Sequence, residues 1–212
     1  MSRMIRLLPL VFLTGCFDSD SIRLRWRLDF RHRVVEVDHL AVNIHPSGED
    51  RCATAPECLD VLRERLADAR KSAAESGGLD IQGGYVLHDG LLDEWSRYTV
   101  PFDAEGWKDA SAPLHLVTVD RRGRHTRPGF VLVRDPTTTE HTTWTITGEK
   151  LHFVPSGTTP QESWVFTRGH PEIDVTYTTI GDDGHALSTP AWVPTIPGLA
   201  EALVGSGLLG EG

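Results

Sequence analysis

Residues 22–31 alternate without a break. Ile22, Leu24, Trp26, Leu28 and Phe30 are apolar, and Arg23, Arg25, Arg27, Asp29 and Arg31 stand between them. Successive side chains of a strand point to opposite faces, so a half-buried strand satisfies this order, whereas a helix would scatter the apolar set around its axis. The chain is thereby committed to a sheet with one dry and one wet face. Residues 34–45 alternate too, first with Val35 and Val37 as the apolar set and then with Leu40, Val42 and Ile44. That change of phase predicts a bulge near Asp38 and His39. A hairpin turning at His32 and Arg33 sets Phe30 against Val35, Leu28 against Val37 and Arg27 against Asp38, although its turn lacks the Gly or Asn that two-residue loops prefer.

One helix follows. Thr54 and Glu57 fit a capping box, Pro56 suits a first turn, and Leu59, Leu62, Leu66, Ala69 and Ala73 recur at three- and four-residue steps before Gly77 and Gly78. An amphipathic helix over residues 55–76 is expected. Beyond it the chain reads as short strands at 80–87, 95–100, 114–119, 130–134, 142–147, 151–154, 163–167 and 173–179, punctuated by Gly, Pro and Asp. Many strands with one helix predict an α+β fold, mainly antiparallel β as a sandwich or curled sheet. Residues 22–193 are read as a single globular domain. Residues 194–212 are read as a short helix and a flexible Gly-rich tail.

The first twenty residues are of another kind. Arg3 and Arg6 precede an apolar run from Ile5 to Leu13, about half the ~20 residues a membrane span requires, so residues 1–15 read as a signal peptide. Its end, Leu13-Thr14-Gly15-Cys16, resembles the lipobox of bacterial lipoproteins position by position, a resemblance confined to residues 1–16. The resemblance implies that the leader is cut before Cys16, that the Cys16 thiol carries a diacylglyceryl group, and that the new amine is acylated. It further implies a membrane partner through the lipid on Cys16, with residues 16–21 as a short tether. By the same resemblance, Phe17 rather than Asp after the cysteine implies the outer membrane of the cell envelope.

Loss of the leader leaves 197 residues and takes the formal charge from −9 to −11, which argues against nucleic acid as a partner. With Cys16 lipidated, Cys52 and Cys58 have only each other, and in an oxidising compartment a disulfide is the simplest outcome. The competing arrangement is a zinc site with His39 and His45, weakened by the spacing and the lack of a second cysteine pair.

Motifs of familiar chemistry are scarce. Gly205, Gly207 and Gly210 match G-x-G-x-x-G formally, but two residues from the end of the sequence they lack the strand–turn–helix setting the fingerprint needs. No G-x-S-x-G, P-loop or H-E-x-x-H occurs, and no cofactor or resident metal is indicated. Carboxylates adjoin histidines at Asp38-His39, His88-Asp89, Glu140-His141 and Asp183 to His185, although neighbours on a strand face opposite ways. Gly181 to Gly184 reads as a hairpin turn, with calcium binding as the sharper alternative. Of the six tryptophans, Trp107, flanked by polar residues, is the candidate to contact a ligand such as a glycan. The arginines of the first strand could rest near anionic headgroups or form a solvated face paired with Glu36 and Asp38. These readings together point to a lipid-anchored envelope protein with a binding or structural role, its partner a glycan or a protein. The alternative is an extracytoplasmic enzyme, such as a metal-assisted hydrolase, assembled from distant His, Asp and Glu.

Overall fold

The computed structural model describes residues 17–47, 52–104, 114–118, 128–134, 142–147, 149–151, 162–165, 171–180 and 185–210. Two long strands open the chain, β1 (Phe17–Asp29) and β2 (Val34–Pro46), followed by helix α1 (Ala55–Glu75) and the hairpin β3 (Leu79–His88) and β4 (Leu91–Pro101). Then come β5 (Leu114–Thr118), β6 (Pro128–Arg134), β7 (Thr142–Thr147), β8 (Glu149–Leu151), β9 (Glu162–Val165), β10 (Glu172–Thr179), a 3₁₀ turn Val193–Thr195 and helix α2 (Leu199–Gly205). The fold is α+β and mainly antiparallel β, as the alternation requires. One sheet has six strands in the order β3-β4-β2-β1-β10-β7 and the other has four in the order β5-β6-β9-β8.

The β1–β2 ladder differs from the expected one in two ways. Its register is Leu28 to Val35, Trp26 to Val37 and Arg27 to Glu36, two residues away from the predicted pairing. The turn is therefore longer, at residues 30–33, with Arg33 in the left-handed region at φ 59°. Asp29 fixes this turn by its side chain: one carboxylate oxygen accepts the N–H of Arg31 at 2.8 Å and of His32 at 2.9 Å. A shift of two residues leaves every side chain on its own face, so the dry face remains as predicted. The expected bulge at Asp38 and His39 is absent. Pairing to both neighbours runs through those residues in constant register, and His39 simply occupies a core-face position. The change of phase comes four residues later, where Asn43 takes φ 49° and both Asn43 and Ile44 are buried.

α1 begins where the sequence placed it. The Glu57 carboxylate accepts the N–H groups of Ala53 and Thr54 at 3.0 and 3.1 Å, and these bonds hold Glu57 below the usual carboxylate range. Cys58, Leu62, Leu66, Ala69 and Ala73 form its buried stripe. At ~1.5 Å per residue the 21-residue helix runs back about the length of the 10-residue β3, so β2 and β3 run in the same direction with β4 between them. Gly83 and Gly84 let the layers close. A Cβ on Gly83 would lie 3.3 Å from a Leu66 methyl, and one on Gly84 would lie 3.0 Å from the Leu208 carbonyl oxygen.

Two apolar clusters result. One joins Leu24, Trp26, Leu28, Val35, Val37, Val100, Ile173 and Val175 across the sheet. The other joins Phe17, Ala41, Ile44, Leu62, Leu66, Tyr85, Leu92, Trp192 and Leu203 beneath the helices. The tail expected to be flexible is docked: the Tyr85 N–H donates to the Leu208 carbonyl and the Gly210 N–H to the Tyr85 carbonyl, at 3.0 and 3.1 Å. The expected tether is also structured, since β1 starts at Phe17 and pairs with Pro46.

Candidate functional site

Polar groups gather in two places, one under α1 and one where β1 begins. Under α1, Glu94 points from β4 into the core and is 1% exposed. Its carboxylate accepts the Nε–H of Arg65, which reaches down from α1 and lies over the Phe17 ring, 5.7 Å from the centroid. His39 lies on the same face of the sheet, and burial pushes its pKa below the usual value, with the Glu94 charge opposing that shift. Burial also raises Tyr85 well above the ordinary phenol range, and its hydroxyl donates to the Leu62 carbonyl at 2.8 Å. Arg65 Nη1 is buried without a partner, so this assembly satisfies its charges without satisfying every donor.

The second group centres on Asn43. Its backbone N–H donates to Asp93 at 2.8 Å, replacing a ladder bond where β2 leaves β4. Its side-chain amide donates to Asp20 at 2.8 Å and to the Thr189 carbonyl at 2.7 Å, while Asp20 accepts the Thr189 N–H at 3.0 Å. The His45 Nδ1 lies 2.9 Å from the Asn43 carbonyl, which places the ring proton on Nδ1, and His88 Nε2 lies 3.2 Å from Asp93. Two carboxylates, two imidazoles and an amide thus meet at one end of the sheet. Most of these bonds go to backbone groups of Asn43 and Thr189, so the arrangement acts as a latch holding Thr189 against β1 and β2.

The sequence-predicted residues fall as follows. Cys52 and Cys58 are bonded, with Cα atoms 5.1 Å apart, and the bridge ties the approach of α1 to its first turn. That pairing removes the zinc arrangement, in which His39 and His45 would have had to converge on the thiols. Asp38 and His39 part as strand neighbours do, Asp38 to Arg97 on the open face and His39 to the core. His88 pairs with Asp93 and not with the adjacent Asp89. Among the described residues no three His, Cys, Asp or Glu side chains come together as a metal site would need. Cys16, Trp107, Glu140, His141 and residues 181–184 lie outside the described residues. Trp26 and Trp192 are buried, the latter donating its indole N–H to the Ile44 carbonyl.

The arginine stripe faces solvent and is neutralised there. Arg27 pairs with Glu36 at 2.7 Å, and Arg25 pairs with Asp174 at 2.9 Å. Register places Glu172 beside Arg27 and Arg97 beside Asp38, so cations and carboxylates interleave across the open face. Asp20, Asn43, Arg65, Asp93 and Glu94 were missed as site residues. Asn43 did carry a signal, an Asn inside an apolar alternation, which is a common way for a strand to enter the left-handed region. Compared with protein-family models, with curated proteins and with solved structures, the chain gives no match.

Proposed function

We propose that this chain is a bacterial envelope lipoprotein, held by lipid on Cys16 in the outer membrane, with a binding or structural role toward a glycan or protein partner. The observation that carries the reading is the leader, in which positive residues, a short apolar run and Leu13-Thr14-Gly15-Cys16 stand in register. The Cys52–Cys58 bridge supports it, because such a bond persists in oxidising compartments. A role without catalysis is favoured by how the polar groups are used. Asp20 and Asp93 are engaged by backbone N–H groups, and Glu94 is engaged by Arg65. A general base is directed at a substrate, and Asp20 and Glu94 are directed at the protein itself.

The test is detergent partition of the protein expressed with its own leader in a bacterium. Wild type should enter the detergent phase, and Cys16→Ala should remain in the aqueous phase or stay unprocessed. A Cys16→Ala protein that is processed and partitions as wild type does would remove the lipid reading.

A further inference from the structure

We propose that the end of the domain where β1 begins rests directly on the bilayer surface, on an uncharged collar made by residues 186–198, with zwitterionic headgroups as its partner. The proposal builds on lipidation of Cys16. It starts from the position of Phe17, which is 5% exposed, paired with Pro46 and packed against Trp192 with ring centroids 5.7 Å apart and planes tilted by 59°. Consecutive Cα atoms are only ~3.8 Å apart, so an acyl-bearing Cys16 would leave no tether between lipid and sheet. The same end collects the last residue of β2, the β3–β4 turn at Asp89 and Gly90, and the last residue of β10.

What covers that end is unusual in composition. Charged residues make up 24% of the chain, yet residues 186–200 contain no Asp, Glu, Lys, Arg or His. The segment is fixed in place by Thr189 on Asp20 and Asn43, by the Trp192 indole on Ile44, and by Pro194 against Gly90. Leu187, Ser188, Pro190, Pro194 and Pro197 remain exposed along it. Where this segment meets the headgroup layer no ion of its own is desolvated, and its prolines have no N–H to leave unpaired there.

Lying flat is disfavoured on both faces. α1 packs over one and turns the exposed Asp60, Arg63, Glu64, Asp68 and Lys71 outward, and on the other Arg23, Arg25, Arg27 and Arg97 interleave with Glu36, Asp38, Glu172 and Asp174; these charges would have to be dehydrated. Among the described residues Asp18 and Asp89 are exposed carboxylates at the near end, and they repel an anionic surface, which selects zwitterionic headgroups. The sheet then stands on the membrane. β1 has 13 residues, so at ~3.3 Å each the turn at residues 30–33 is carried roughly 40 Å away from it.

The experiment uses the processed, lipid-bearing protein in phosphatidylcholine vesicles containing a headgroup-labelled quencher. A fluorophore is placed on one introduced cysteine, Ser188→Cys or Pro197→Cys at the near end and Arg31→Cys at the far end. Quenching several-fold stronger at both near positions than at residue 31 is expected. Vesicle-bound protein quenched equally at both ends overturns the orientation and leaves the anchor standing. Processed protein that does not bind vesicles at all sinks the anchor reading, and the orientation with it.

Discussion

Replacing Glu94 with Ala should be among the most damaging single changes this fold can receive. The Glu94 side chain is 1% exposed and its partner Arg65 is 9% exposed, so truncation strands a guanidinium inside the protein. Removing one member of such a pair costs about 3–5 kcal/mol, because the remaining charge keeps its desolvation penalty and loses its compensation. At roughly 2–4 °C per kcal/mol for a chain of this size, the melting temperature should fall by about 6–20 °C. The double variant Arg65→Met, Glu94→Leu removes both charges and should recover most of that loss, short of about 1 kcal/mol for the Arg65 contact with Phe17. Thermal unfolding followed by circular dichroism on the three proteins measures this directly. If Glu94→Ala melts within a degree or two of wild type, the pair is hydrated and the account of the layer beneath α1 is wrong.

Replacing Cys52 and Cys58 together by Ser should leave the fold intact and cost about 2 kcal/mol, since a bridge across 6 residues closes a small loop; denaturant unfolding with and without reductant checks it. His39 has a folded pKa below its unfolded value, so the unfolded state takes up protons first and stability is lost as pH falls below about 6.5 toward the folded pKa. A His39→Leu variant should lose that slope below about pH 6.5 while keeping the acid unfolding that Asp29, held at about 2, contributes at lower pH; chemical denaturation across the range separates the two. Asn43→Ala should be worse than Asn43→Gly by about 1 kcal/mol, because both lose the amide bonds but only Ala is strained at φ 49°, and a calorimetric ranking in the opposite order would contradict the latch.

Sequence pattern was most informative where a residue's preference and its environment agree. The alternation in residues 22–31 gave β1 its faces, and the spacing of Leu62, Leu66, Ala69 and Ala73 gave α1 its stripe within a residue at each end. It misled where a polar side chain sits on the dry face. His39 is core-facing while Leu40 and Val42 are only half-buried on the other side, so hydrophobicity alone suggested a bulge that does not exist. Residues 17–21 are largely polar and looked like tether. They pair in the sheet because Asp20 is held by Asn43 and Thr189, partners 23 and 169 residues away. Arg65 and Glu94 have the same character. Each alone reads as a surface charge, and only the packing of α1 on β4 makes them a buried pair.

The measurement that bears most directly on the account is the intact mass of the N-terminal peptide from protein recovered from a bacterial envelope. The account predicts a chain beginning at Cys16 and carrying the mass of a diacylglyceryl group and an N-acyl chain. A chain that begins elsewhere, or an unmodified Cys16 thiol on processed protein, would contradict it.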